Sequence, residues 1–207
     1  MSLGRRTTSI GFNPFPGNMF VEKARYHRRV RTRMNPFSRS PSDSGEYFDE
    51  PTAFEPAHLP EPGPFLEGHD LLEGGAHVAF HERTHELFEE RGVYDVTFGY
   101  NLARLNHDRR HPDAGFRYAL DADDQTTVRA EFTPTTEFCP QVDILATGAF
   151  RAWNGLIDRL EPDVVRVRVD SDHHQAPAVN ASLERLEEAF LETGLVEGSD
   201  TSKEPPL

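Results

Sequence analysis

The sequence is poor in three things. It has one cysteine, Cys139, in 207 residues, so no disulfide can form within the chain and no structural zinc site can be built from several cysteines. It has two lysines, Lys23 and Lys203, and every other basic residue is arginine. It has no apolar run approaching the ~18 residues that a membrane-spanning helix needs. "MSLGRRTTSIGFNPFPG" also lacks the continuous apolar core and small-residue cleavage site of a secretory signal. A soluble protein of the cytoplasm, without a membrane partner, is the expectation. What abounds is acid. With a formal net charge of -13, the balance resembles that of proteins from halophilic archaea, in which hydrated carboxylates keep the surface solvated at high salt.

The charge is unevenly divided. Residues 1–40 hold nine arginines and lysines against one acid, Glu22, so the acid excess lies in the rest of the chain. "RYHRRVRTR" has the composition of a phosphate-binding arm, but its turn-rich neighbours "FNPFPG" and "NPFSRSPSDSG" read as disorder rather than as a nucleic-acid module. Met34, just after this leader, is a candidate native start. From Pro36 to Gly75 the chain is studded with Pro, Gly, Ser and acids without periodicity. Residues 1–75 are therefore predicted to be a disordered basic leader and linker, 76–194 a single domain, and 195–207 a disordered tail.

Within the domain the periods are legible. Residues 77–91 have helical composition with Gly92 as a stop, and "FGYNLARLNHDRR" places Phe98, Leu102 and Leu105 on one helical face. Phe116, Tyr118 and Leu120 alternate with polar neighbours, the chain turns at "DADDQ", and Val128, Ala130 and Phe132 return: a β-hairpin. A helix is predicted from about Pro140 to Leu160, then a strand "DVVRVRV" with its arginines toward solvent. A last helix over "AVNASLERLEEAFLETG" turns Leu183, Leu186, Phe190 and Leu191 inward and closes at Gly194. The order ααββαβα predicts a small α/β sandwich, helices on a mixed sheet of about three strands.

Two stretches could carry chemistry. "HERTH" is an H-E-x-x-H pattern: His81 and His85, one turn apart, could ligate zinc while Glu82 polarises bound water. A hydrolase needs a third ligand, and Phe88 stands where the metzincin extension has glycine. No later helix offers a convincing glutamate. The expectation is an exposed helix with two surface histidines, and a zinc metallohydrolase through His81, Glu82 and His85 is the minor alternative. The other stretch is "EFTPTTEFCPQ", Glu131 to Gln141, at a strand-to-helix junction. There Cys139 is expected in the first turn of a helix, with Pro140 behind it and Thr133 and Thr135 as hydroxyl donors. The alternative is a small buried filler.

"VRAEFTPTTEFCP", "LIDRLEPDVVRVRV" and "DHHQAPAVNASLERL" together resemble the SufT/PaaD-like family (DUF fifty-nine), most closely its eukaryotic branch, the targeting subunit of cytosolic iron-sulfur assembly. That branch has F-T-P-T, three residues, the cysteine, a helix, a strand, then a histidine followed seven residues later by asparagine. Here these positions are Phe132, Thr133, Pro134, Thr135, Cys139, His173 and Asn180. The resemblance spans roughly residues 98–192 and departs from the branch at Phe138, where a histidine is usual, and in the shortened loop "HDRRHPDAG". It implies the same small α/β fold and an accessory factor in iron-sulfur cluster assembly or delivery, not an enzyme with its own turnover. Cys139 would be the functional thiol, supported by Phe132, Thr133, Pro134 and Thr135, with His173 and Asn180 as possible second contacts. Iron or a cluster would bind Cys139 transiently, because one thiolate cannot supply the four ligands a cluster normally takes. The implied partners are client iron-sulfur proteins or assembly factors, with a homodimer as a way to share ligands. A non-catalytic interaction module of the same fold is the main alternative.

Overall fold

The computed structural model describes residues 47–196. The basic leader, the candidate start at Met34, the linker as far as residue 46 and the tail from 197 lie outside the described residues. Within them, strand β1 (Asp70–Leu71) leads into helix α1 (Gly74–Arg91), followed by a small ribbon of β2 (Tyr94–Asp95) and β3 (Tyr100–Asn101). Then come the hairpin β4 (Gly115–Leu120) and β5 (Thr127–Thr133), helix α2 (Val142–Asn154), strand β6 (Val164–Val169) and helix α3 (Ala176–Thr193).

The main sheet is mixed and has four strands in the order β1-β4-β5-β6. The hairpin forms in the register its alternation demands: Phe116 opposes Phe132, Tyr118 opposes Ala130, and Leu120 opposes Val128. Because β6 runs parallel to β5, helix α2 is the crossover between them. The apolar face of the hairpin meets the helices through aromatic rings. Phe116 stacks on Phe132 at 4.9 Å and takes the edge of Trp153 at 5.3 Å, while Phe88 of α1 lies 4.9 Å from Trp153. Trp153 is fully buried, and its indole N–H donates to Thr84 Oγ1 at 3.0 Å, which joins α2 to α1.

All six residues of β4 are buried, so both faces of the sheet are covered. The second cover comes from the stretch expected to be disordered up to residue 75. From residue 47 onward it is a strap that docks on the sheet, buries Leu59, Leu66 and Leu72, and adds β1 as the fourth strand. Phe65 is held between two cations, with Arg129 at 4.7 Å and Arg168 at 5.1 Å from its ring. The carboxylate of Glu131 accepts the amides of Gly63 and Phe65 at 2.5 and 3.2 Å. The arginines of β6 are correspondingly not a solvent face: Arg166 and Arg168 both pair with Glu187 of α3. The apolar residues of the strap follow neither a helical nor a strand period, so only this pairing reveals its order.

Three further expectations are corrected. Instead of a second helix over 98–110, the chain forms β3 and a 3-10 segment, Leu102–His107, that starts where the Asn101 side chain accepts the Ala103 amide. Leu102 and Leu105 are buried as the helical pattern required, but two turns of 3-10 helix suffice for that. Helix α2 stops at Asn154 rather than Leu160, because the Asn154 side chain exchanges hydrogen bonds with Val165 N–H and C=O at 3.0 and 2.9 Å and turns the chain toward β6. In α3, Leu183 and Phe190 face inward, whereas Leu191 is exposed. Gly92 and Gly194 close α1 and α3 in the left-handed conformation.

Candidate functional site

The loops that leave the C-terminal ends of the parallel strands β5 and β6 meet, and they contain most of the residues singled out in the sequence. Asp170 N–H donates to Phe132 C=O at 2.9 Å, extending the β5–β6 ladder past its last pair. Thr133 Oγ1 reaches Asp170 Oδ2 at 3.5 Å. The next loop turns through Cys139 N–H to Thr136 C=O, and His174 holds it twice at the Glu137 carbonyl, through its backbone N–H at 3.1 Å and its ring at 2.8 Å. His173 Nε2 lies 3.2 Å from the Cys139 carbonyl oxygen, and its Nδ1 accepts the Gln175 amide. Both ring nitrogens of His173 are thereby engaged. Burial lowers the His173 pKa, in keeping with a neutral ring that donates through Nε2 and accepts through Nδ1.

The arrangement brings His173 to Cys139, but to its carbonyl oxygen. Cys139 itself is a free, half-buried thiol. It lies before α2, whose N-cap is Gln141 and whose first residue is Val142, so the expectation of a cysteine in the first helical turn is corrected. The loop is longer because Val142 N–H still reaches back to Cys139 C=O in a separate turn. Asn180 is not beside the thiol: its side chain exchanges bonds with Val169 N–H and C=O at 2.7 and 2.9 Å, which fixes the start of α3 to the end of β6. Phe132 and Pro134 are buried and support the loop from beneath, while Thr135 is half-exposed.

Around the thiol are features the sequence concealed. Phe138 is 69% exposed, Ile144 in the first turn of α2 is 74% exposed, and Val96 at the tip of the β2–β3 ribbon is 76% exposed. The ribbon is tied to this loop by Gln141, whose Nε2 donates to Thr97 Oγ1 at 3.1 Å. Nothing in the spacing signals a contact across 44 residues.

The H-E-x-x-H helix resolves differently from expectation. His85 is half-exposed and Glu82 exposed, but His81 is buried in the core, 3% exposed, so the two histidines do not share the surface. His81 Nδ1 lies 2.8 Å from the Tyr118 hydroxyl and Nε2 lies 2.9 Å from Ala103 C=O. A neutral ring donating through Nε2 and accepting from Tyr118 satisfies both, leaving no lone pair for a metal. His77, one turn earlier, stacks on it at 5.7 Å, and His107 meets it edge-on at 5.1 Å. Burial and then neighbouring positive charge push the His77 pKa down to about 3, and burial holds that of His81 well below its ordinary value. Among the described residues no group of three or more His, Cys, Asp or Glu is placed to hold a metal ion. No described helix is long and apolar enough to cross a membrane.

The model of one protein family, described as "Domain of unknown function (DUF7998)", matches residues 46–197. No curated protein matches, and no solved structure matches.

Proposed function

For this chain, which belongs to the family described as "Domain of unknown function (DUF7998)", we propose the role of an accessory factor in iron-sulfur cluster assembly or delivery, acting through the Cys139 loop. The observation that carries the reading is the placement of a free, half-buried thiol on a loop that His173 and His174 clamp at the open end of two parallel strands. That is where α/β sheets leave their binding crevices. The resemblance in "FTPTTEFC" and in the seven-residue step from His173 to Asn180 supports the same reading.

The division of labour is then specific. Cys139 supplies a soft thiolate to iron or to a cluster held as cargo. His173 positions the cysteine backbone and is spent as a ligand, since freeing Nδ1 would leave the Gln175 amide unpaired and freeing Nε2 would remove one of the two bonds at the Cys139 carbonyl. Asn180 fixes β6 to α3, and Thr133 with Asp170 joins the two loops. One cysteine per chain means the remaining ligands come from a partner protein or from a second copy.

A second reading, a non-catalytic interaction module of this fold, draws on the exposed Phe138, Ile144 and Val96, which need no thiol to bind a partner. One experiment separates the two. Purification of wild type and Cys139→Ser from native cells at native salt is expected to recover iron-sulfur enzymes with the wild type alone. Recovery of the same enzymes with both proteins would leave only the interaction module.

A further inference from the structure

We infer that Phe138, Ile144 and Val96 form a docking surface for a protein partner that presents an apolar anchor flanked by arginine or lysine. This rests on the proposed delivery role, since it names the kind of protein that would be brought to Cys139. The first observation is apolar. Only six large hydrophobic side chains among the described residues are exposed, and three of them surround one loop. Phe138 precedes Cys139, Ile144 is on the first turn of α2, and Val96 is fastened to that turn through the Gln141–Thr97 hydrogen bond. The Phe138 ring is also steadied, lying 5.3 Å from the ring of His174, which itself bonds the Glu137 carbonyl. Exposed apolar side chains held in place, rather than swinging freely, lose little entropy on being covered.

The second observation is electrostatic and selects the occupant. The three segments that build this end of the domain, 92–103, 130–150 and 169–184, contain no arginine and no lysine. They carry Glu137, Asp143 and Asp172, all exposed. Elsewhere the domain interleaves arginines with its acids, as at Arg83 with Glu86 and Arg159 with Glu90. An apolar centre with a rim of one sign is met best by an apolar anchor with a rim of the other. The same rim disfavours the other occupants. A second copy meeting it through the same face would set acid against acid, and both nucleic-acid phosphates and anionic lipid headgroups would be repelled.

The test uses the full chain, isotopically labelled, with no iron or sulfide present, and three synthetic peptides. The first has Leu-Trp-Leu between runs of arginine, the second has the same anchor between runs of glutamate, and the third has Ser-Gly-Ser between runs of arginine. Backbone amide NMR shifts are followed at low and at molar salt. The first peptide is expected to move the amides of residues 95–97 and 137–144 and no others, and part of its affinity should persist at molar salt, where only the apolar contact is unscreened. Phe138→Ser and Ile144→Ser should each weaken it about tenfold, the scale of losing one apolar anchor. Equal binding of the first and third peptides, shifts scattered over the acidic surface, preference for the glutamate peptide, or no shifts at all would each overturn the proposal. Because no metal enters this assay, its failure bears on the docking surface alone, and the Cys139→Ser comparison continues to test the thiol.

Discussion

Gly63 and Glu131 are 68 residues apart, yet the amide of the glycine lies 2.5 Å from a carboxylate oxygen of the glutamate, which is 2% exposed. A Cβ at Gly63 would fall 2.5 Å from that oxygen and 2.9 Å from its carbon. A side chain at this position would therefore push the Glu131 carboxylate out of its place against the strap. Burial raises the Glu131 pKa, while the two amides it accepts from pull it back.

The first expectation follows from that approach. Gly63→Ala should loosen the strap, as should Glu131→Ala, at a cost of about 2–3 kcal/mol for the lost charge-assisted bonds. Hydrogen exchange checks it: amides 59–72 should lose protection in both variants while those of α2 keep theirs. Unchanged protection of the strap would refute the latch.

His81→Ala should destabilise the fold by about 3 kcal/mol. It empties a buried imidazole site and leaves the Tyr118 hydroxyl and the Ala103 carbonyl without their partner. Urea unfolding measures this, and a change below about 0.5 kcal/mol, the range of ordinary surface substitutions, would contradict the core placement.

Acid should unfold the protein through the same cluster. The pKa values of His77 and His81 in the fold lie below those of the unfolded chain, so the unfolded state binds more protons at low pH. Stability from these groups is complete above about pH 6.5 and is lost as pH falls toward the folded His77 value of about 3, at up to ~1.4 kcal/mol per pH unit for each group. Urea midpoints measured from pH 7 to 4 should fall, and His77→Phe should flatten the slope. An identical slope in that variant would assign the acid sensitivity elsewhere.

Asn180→Ala should cost about 2–3 kcal/mol, since it leaves Val169 N–H and C=O unpaired at the end of β6. Asn180→Asp should be nearly as damaging, because a carboxylate cannot donate to the carbonyl. Thermal denaturation of both variants checks this, and full tolerance of the aspartate would argue that only the acceptor half matters.

Cys139 should be alkylated in the folded protein. A half-buried thiol on a loop needs local motion only, so iodoacetamide should modify it completely without global unfolding. Mass spectrometry across a urea series decides the matter: a rate that tracks the unfolded fraction would return Cys139 to the role of packing.

The sequence by itself determined the hairpin and its register, the caps at Gly92 and Gly194, and the order hairpin, helix, strand, helix from residue 115 onward, because alternation, helical period and glycine stops are local. It also marked the Cys139 loop and His173 as neighbours, through a resemblance rather than through any period. Tertiary structure alone decided the rest. Whether His81 faces water or core depends on which side of α1 meets Tyr118, 37 residues away, and a helix with histidines on both faces gives no sign of it. The strap's apolar residues follow no period, and its order comes from Glu131, Arg129 and Arg168, the last assigned to solvent by alternation. Cys139 lies short of its helix because backbone turns, not composition, choose the first helical residue. Partners distant in the chain leave no periodic trace, and such partners hold both the strap and the candidate site in place.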